Sequence, residues 1–197
     1  MENTFLPLIF RMKYINRWAL MFNTQTESVM QHTAECAFIV HYLAIIGNQY
    51  YEKNYDINKL TVCALFHDAS EVLTGDLPTP IKYFNDDIKT IYKQIEQAAS
   101  EKIIKHLPRD LQKSYAAYFD ESNLNSEERK LIKISDKLYA YIKCIQEVNA
   151  GNKEFMAAYT EIRKDIESIK SEELKYFLDN CLVAFSLSLD DLKATLN

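Results

Sequence analysis

The chain has 197 residues, a length that suits one domain with a substantial core, and a formal charge of −5 with no basic cluster, which argues against a polymeric nucleic-acid partner but leaves a small phosphate ester admissible. With 48% hydrophobic and 26% charged residues it has the balance of a soluble globular protein, and only 3 Gly and 4 Pro favour helices over many short strands and turns. Four cysteines (Cys36, Cys63, Cys144, Cys181) form no Cys-x-x-Cys pair, so a reduced, cytoplasmic chain is expected.

The apolar stretch Phe5 to Phe10 is short and is followed, not preceded, by Arg11 and Lys13, the wrong layout for a signal peptide. No apolar run reads as long enough to span a bilayer, so no membrane partner is expected. A helix is predicted over Glu27 to Ile46, with Val29, Cys36, Ile39, Val40 and Leu43 as its apolar stripe and Gly47 as its stop. A second runs from about Asn58 to Leu73 and ends in Thr74-Gly-Asp-Leu-Pro-Thr-Pro80, a constrained loop in which Thr79-Pro80 reads as N-cap and first helical residue. A third covers roughly Asp87 to Leu107, and Pro108 restarts the chain into a shorter helix ending near Phe119. Ser126 before Glu127-Glu128 predicts another N-cap. Its helix runs to Val148 on a stripe of Leu131, Ile134, Leu138, Ile142 and Ile145, and Gly151 breaks it. Helical sequence fills Lys153 to Leu182. With no internal repeat and no convincing strand, residues 1–197 read as one all-α domain.

Four histidines divide into two candidate ligands and two bystanders. His67-Asp68 lies within Ala64-Leu-Phe-His-Asp-Ala-Ser-Glu71, where adjacent imidazole and carboxylate can share one divalent ion. His32 lies between Val29 and Cys36 on the buried side of its helix, and Asp136 lies in Ile134-Ser-Asp136-Lys137. His41, nine residues beyond His32, faces the other way, and His106 ends a helix. These residues alone leave a plainer alternative open: a buried histidine can be a hydrogen-bonded core residue, and Asp136 a helix carboxylate paired with Lys133 or Lys137.

The flanking residues narrow the choice. They are Ile15-Asn-Arg17-Trp18; Ala69-Ser-Glu71-Val-Leu-Thr-Gly-Asp76-Leu-Pro-Thr-Pro80 followed by Ile81-Lys-Tyr-Phe-Asn85; Tyr141-Ile-Lys-Cys144; Ala150-Gly-Asn152; and Ser186-Leu-Ser-Leu-Asp190. Together with the order His … His-Asp … Asp, they closely resemble the YfbR-like 5′-deoxynucleotidases of the HD-domain phosphohydrolase superfamily, over nearly the whole chain. One departure is Gln31, where relatives commonly carry Glu.

The resemblance implies an α-helical HD bundle, usually a homodimer. It would hydrolyse deoxyribonucleoside 5′-monophosphates with one divalent transition-metal ion, Co²⁺ or Mn²⁺ above others. His32, His67, Asp68 and Asp136 would be the ligands, with His32 and Asp136 also facing substrate. Arg17 would clamp the phosphate through its guanidinium fork. Glu71 would serve as acid or base, four residues after His67 on the same predicted helix face. Trp18 would wall the sugar or base, and Asp76, Leu77, Pro78 and Thr79 would contact the nucleoside, with Asp76 in the catalytic group. Two alternatives stay in view. One is an HD enzyme acting on a triphosphate, a cyclic or signalling nucleotide or a phosphonate. The other is a non-catalytic nucleotide-binding helical module.

Overall fold

The computed structural model describes residues 3–82 and 84–195; Tyr83, within the Ile81 to Asn85 run, and the two ends of the 1–197 span lie outside the described residues. Among these the regular structure is helical, with one isolated antiparallel bridge between Asn16 and Ser28. The α-helices are α1 (Phe5–Ile9), α2 (Val29–Tyr50), α3 (Ile57–Phe66), α4 (Glu71–Thr74), α5 (Thr79–Lys82), α6 (Asp86–Ile104), α7 (Arg109–Phe119), α8 (Ser126–Asn149), α9 (Met156–Ser168), α10 (Glu172–Asn180) and α11 (Leu189–Ala194).

Helix α2 is the central element, packed against α3, α8 and α10. It starts at a capping box in which the Ser28 hydroxyl accepts from the Gln31 N–H while Gln31 Oε1 accepts from the Ser28 N–H at 2.9 Å. An amide oxygen fills the acceptor role of a carboxylate here, so the Gln31 departure is structurally silent. The expected stop at Gly47 is not observed, and α2 continues to Tyr50. Gly47 serves packing instead: a Cβ there would lie 2.5 Å from Tyr55 Cε2, whose hydroxyl donates to Glu173 at 2.9 Å. At 22 residues α2 is also long and apolar enough to cross a membrane, contrary to the reading that no run qualifies, yet more than half of it is buried inside the protein.

Other boundaries shift for local reasons. The predicted helix from Asn58 to Leu73 stops at Phe66, and residues 67–70 form a tight turn before α4. The cap of α8 is Asn125, not Ser126, closing a capping box with Glu128. Helix α5 begins at Thr79 itself, with the Pro78 carbonyl accepting from the N–H groups of Ile81 and Lys82.

Two hydrophobic clusters form the interior. The larger joins α2, α3, α8 and α10 through residues such as Leu43, Leu60, Leu138, Ile142 and Leu174. The smaller gathers Phe5, Ile9, Met12, Val29, Ala69, Ile103 and Leu107. His32 lies between Val29 of the smaller cluster and Cys36 of the larger, Asp68 precedes Ala69, and Asp136 lies between Ile134 and Leu138. The candidate ligands therefore sit on the seam where the clusters meet.

Candidate metal and nucleotide site

His32 is fully buried in the first turn of α2, its ring edge-on to Tyr139 of α8 at 4.9 Å. His67 closes α3 and holds the Ala64 carbonyl 2.6 Å from Nδ1. Only an N–H makes that contact favourable, so Nδ1 is the donor there and Nε2 faces the seam. The turn at 67–70 is built on bonds from Ala69 N–H to Phe66 O and from Glu71 N–H to Asp68 O, both 3.0 Å. Spacing four residues apart on one continuous helix therefore does not relate His67 to Glu71, as the sequence had suggested. The tighter turn instead directs His67 and Asp68 toward one point.

That point is well defined. His32 Nε2 lies 3.2 Å from His67 Nε2, 3.3 Å from Asp68 Oδ2 and 3.2 Å from Asp136 Oδ1, and His67 Nε2 lies 3.3 Å from Asp68 Oδ2. Nitrogen and oxygen atoms about 2.0–2.2 Å from one ion, at angles of about 90–109°, stand about 3–3.5 Å apart. The spacing fits a shared divalent cation, as does the electrostatics. Burial and Arg17 oppose charge on His32, yet its contacts with Asp136 and Asp68 hold its pKa well above the ordinary value. Burial would likewise raise the pKa of Asp68, but His67, His32 and Arg17 hold it far below the usual carboxylate range. Two carboxylates converging on these imidazoles demand positive charge at their common centre.

Cys36 Sγ also approaches, within 4.8 Å of ligand atoms of His32, His67 and Asp136. It stands 3.6 Å from His32 Nδ1 and 3.7 Å from Nε2. Near-equal distances to both nitrogens put the sulfur over the ring, off the Nε2 lone-pair axis, and burial pushes the thiol pKa up. Cys36 is thus a packing residue, as its place in the apolar stripe suggests.

Arg17 reaches the cluster from a segment outside the bundle. Its Nη1 lies 3.2 Å from Asp68 Oδ2, Nη2 lies 4.0 Å from Asp136 Oδ1, and Nε lies 2.9 Å from Glu27 Oε1. Glu27, 4% exposed, was not singled out in the sequence. Its signal is weak: as the first residue of the helix predicted from Glu27 to Ile46, it reads as an ordinary helix-start charge. The backbone bond from Arg17 N–H to Glu27 O at 2.9 Å pins the two ends of the segment together. Trp18 follows with φ 56°, a left-handed conformation rare for a bulky residue, and its indole ring stands 5.2 Å from the Phe155 ring. The Trp18 indole N–H and one Glu71 carboxylate oxygen are buried without a hydrogen-bond partner, which suits a pocket that receives a polar ligand; Arg17 Nε, both Glu27 oxygens and Asn23 Oδ1 share that state, so Arg17 and Glu27 meet as an ion pair.

Glu71 is buried at the start of α4, close enough to Asp68 and Asp76 to feel both carboxylates; burial first, then those charges, push its pKa up to about 9. Asp76 is half-buried, with its pKa raised by burial, and lies within the electrostatic reach of Arg17, Asp68 and His32. The loop turns at Gly75, whose φ of 73° favours glycine, and the Gly75 carbonyl accepts from Thr74 Oγ1 at 3.0 Å. Leu77 and Pro78 are half-buried and Thr79 is exposed beyond it. The bystanders keep apart: His41 is exposed, and His106 Nδ1 pairs with Thr4 Oγ1 at 2.7 Å.

Residues 4–185 match the family model described as 5′-deoxynucleotidase YfbR-like. A 5′-deoxynucleotidase of Enterobacter sp. (strain 638) is 44% identical over 191 residues, covering 97% of this chain and 96% of the relative. The 5′-deoxynucleotidase YfbR of Escherichia coli O1:K1 is 42% identical with the same coverage. Among solved structures, an HD-domain phosphohydrolase from Listeria innocua superposes with a TM-score of 0.81 at 24% identity, covering 96% of this chain and 92% of that one. The HD phosphohydrolase of cyanophage S-2L, solved with dA and one catalytic Zn²⁺, superposes with a TM-score of 0.62 at 18% identity, covering 91% and 95%. At these identities the structural likeness is one of fold.

Proposed function

The chain belongs to the YfbR-like 5′-deoxynucleotidase family, and from that premise we propose how its residues divide the metal-dependent hydrolysis of a deoxyribonucleoside 5′-monophosphate to deoxynucleoside and phosphate. The observation that carries the reading is the convergence of His32, His67, Asp68 and Asp136: His32 Nε2 lies 3.2–3.3 Å from a ligand atom of each of the other three, and His67 Nε2 lies 3.3 Å from Asp68 Oδ2. A divalent ion held by these four supplies Lewis acidity toward a phosphate oxygen and a lowered pKa for a bound water. Imidazole and carboxylate donors suit several first-row metals; Co²⁺ or Mn²⁺ is our assignment, with Zn²⁺ the competitor to test.

Arg17 presents its guanidinium beside Asp68 and binds two phosphate oxygens. Glu27 behind it keeps the fork oriented. Glu71, buried and biased toward its protonated form, moves the proton at the phosphate ester. Asp76 accepts from the 3′-hydroxyl of the sugar, Trp18 walls the sugar and base, and Leu77, Pro78 and Thr79 continue the nucleoside-facing loop. His32 and Asp136 also border the substrate.

The reading includes a homodimer. Phe38 (77% exposed), Tyr42 and Ile45 recur at helical spacing on α2, and a second copy would cover them. It further includes a single domain across 1–197 and a cytoplasmic location, consistent with four free cysteines. The test is phosphate release from a panel of deoxy- and ribonucleoside mono- and triphosphates, with EDTA and with added Co²⁺, Mn²⁺ or Zn²⁺. Metal-dependent release from 5′-deoxynucleotides is expected; release unaffected by EDTA, or confined to triphosphates, would overturn the reading.

A further inference from the structure

The segment 16–28 carries Arg17, Trp18 and Glu27, yet its only regular feature is the Asn16–Ser28 bridge. We infer that a buried polar hub, formed by Lys143 and Glu147 toward the C-terminal end of α8 and by Asn152 just beyond it, positions this segment for phosphate binding. The inference deepens the function proposed above and rests on its assignment of Arg17 and Trp18 to the nucleotide.

Every member of the hub bonds to segment 16–28. Glu147 Oε2 accepts from the Thr24 N–H at 3.0 Å, from the Thr24 hydroxyl at 2.7 Å and from Asn152 Nδ2 at 2.8 Å. Its Oε1 accepts from Lys143 Nζ at 2.5 Å and from the Gln25 N–H at 3.4 Å. Lys143 Nζ donates on to the Gln25 carbonyl at 2.6 Å, and Asn152 Nδ2 to the Phe22 carbonyl at 2.9 Å. The backbone is thereby held at the Phe22 carbonyl, at the Thr24 N–H and at both the N–H and C=O of Gln25.

The hub is built where α8 would otherwise be apolar. Glu147 is 1% exposed, Lys143 is 5% exposed, and their neighbours Ile142, Cys144 and Ile145 are core. Lys143 is the buried lysine among the described residues. A buried ion pair contributes little net stability over apolar side chains of similar volume, so its value here lies in specifying one conformation. Trp18 shows what needs specifying. Its left-handed backbone must be imposed from outside, and the Asn23 side chain ties its carbonyl at 3.1 Å. Beyond the tip, Glu154 Oε1 accepts from the Phe22 N–H at 3.1 Å and Phe155 meets the Trp18 ring at 5.2 Å. Hub and indole thus lean on the same turn, residues 152–155, which Gly151 introduces with φ 85°. Lys143, Glu147 and Asn152 are positioning residues: they act through the segment.

Trp18 is the only tryptophan, so its emission reports on the segment directly. In Glu147→Gln, an amide replaces acceptor oxygens that face several donors. The expected result is red-shifted, more readily quenched Trp18 emission with unchanged far-UV circular dichroism and unchanged bound metal. For a deoxynucleoside monophosphate kcat/KM should fall about 10- to 100-fold, from one or two charge-assisted hydrogen bonds. In an Arg17→Ala background the same change should cost less than about threefold, because residues acting through one another are not additive. Wild-type emission, or losses that simply multiply with Arg17→Ala, would overturn the inference. If Glu147→Gln does not fold, Thr24→Val, which deletes one hydroxyl donor at the surface, must still shift the emission in the same direction. If the wild type releases no phosphate from any nucleotide, the proposed function fails, while the emission of Glu147→Gln still decides whether the hub holds the segment.

Discussion

Replacing Arg17 with lysine keeps the charge and removes the fork. The guanidinium serves three carboxylates from three nitrogens: Nε to Glu27 at 2.9 Å, Nη1 to Asp68 at 3.2 Å and Nη2 to Asp136 at 4.0 Å. A lysine ammonium is a single point of positive charge and cannot hold Glu27 while addressing Asp68 or two phosphate oxygens. The change therefore forfeits about one good charge-assisted hydrogen bond, roughly 1.5–3 kcal/mol, or about 10- to 150-fold in kcat/KM. Bound metal should stay at the wild-type level, because none of the four ligand residues is altered. The assay is phosphate release from dAMP at saturating metal, alongside metal analysis and a thermal melt. A well-folded, metal-loaded Arg17→Lys enzyme within about twofold of wild type would refute the fork argument. Arg17→Ala extends the logic to stability. It strands the buried Glu27 carboxylate, and breaking such a pair costs about 3–5 kcal/mol, roughly 6–20 °C in Tm for a chain of this size. Adding Glu27→Gln should restore much of that loss.

His67→Ala and Asp136→Ala should each lower both bound metal and activity; wild-type metal occupancy in both would refute the ligand assignment. Glu71→Gln should retain metal while turnover drops about 10²- to 10⁴-fold, and undiminished turnover would remove Glu71 from proton transfer. The metal-free protein should lose stability as pH rises from about 5 to 9. Glu71 titrates ordinarily at 4.5 and in the fold at about 9, so the folded state holds the extra proton in that window; its contribution is complete below 4.5 and lost as pH approaches 9, and His32, also raised, adds the same sign. A Tm series in EDTA should show this slope, and Glu71→Gln should flatten it. Burying an unpartnered ribose 2′-hydroxyl should cost roughly 1–3 kcal/mol, so dAMP should exceed AMP by about ten- to a hundred-fold in kcat/KM, and equal values would sink the sugar-selection argument.

The helical class and the apolar stripes were legible in the sequence. Those follow from periodicity and residue type: the stripe of Leu131, Ile134, Leu138, Ile142 and Ile145 is buried as its spacing requires, and His32 falls on the inner face between Val29 and Cys36. The order of histidines and aspartates, with the flanking motifs, also sufficed to identify the family. Four features were not legible in the sequence, because contacts formed on folding set them against the local signal. Gly47 stays inside α2 because Tyr55 packs onto it, although glycine usually ends a helix. The chain leaves helical geometry after Phe66, and a turn, not a helix face, aims His67 and Asp68 at His32. Glu27 lies behind Arg17 ten residues away because the Asn16–Ser28 bridge folds the segment back on itself. Lys143 and Glu147 read as an ordinary helical pair four residues apart, and only the docking of residues 22–25 against α8 buries that pair and directs it to the segment that carries Arg17.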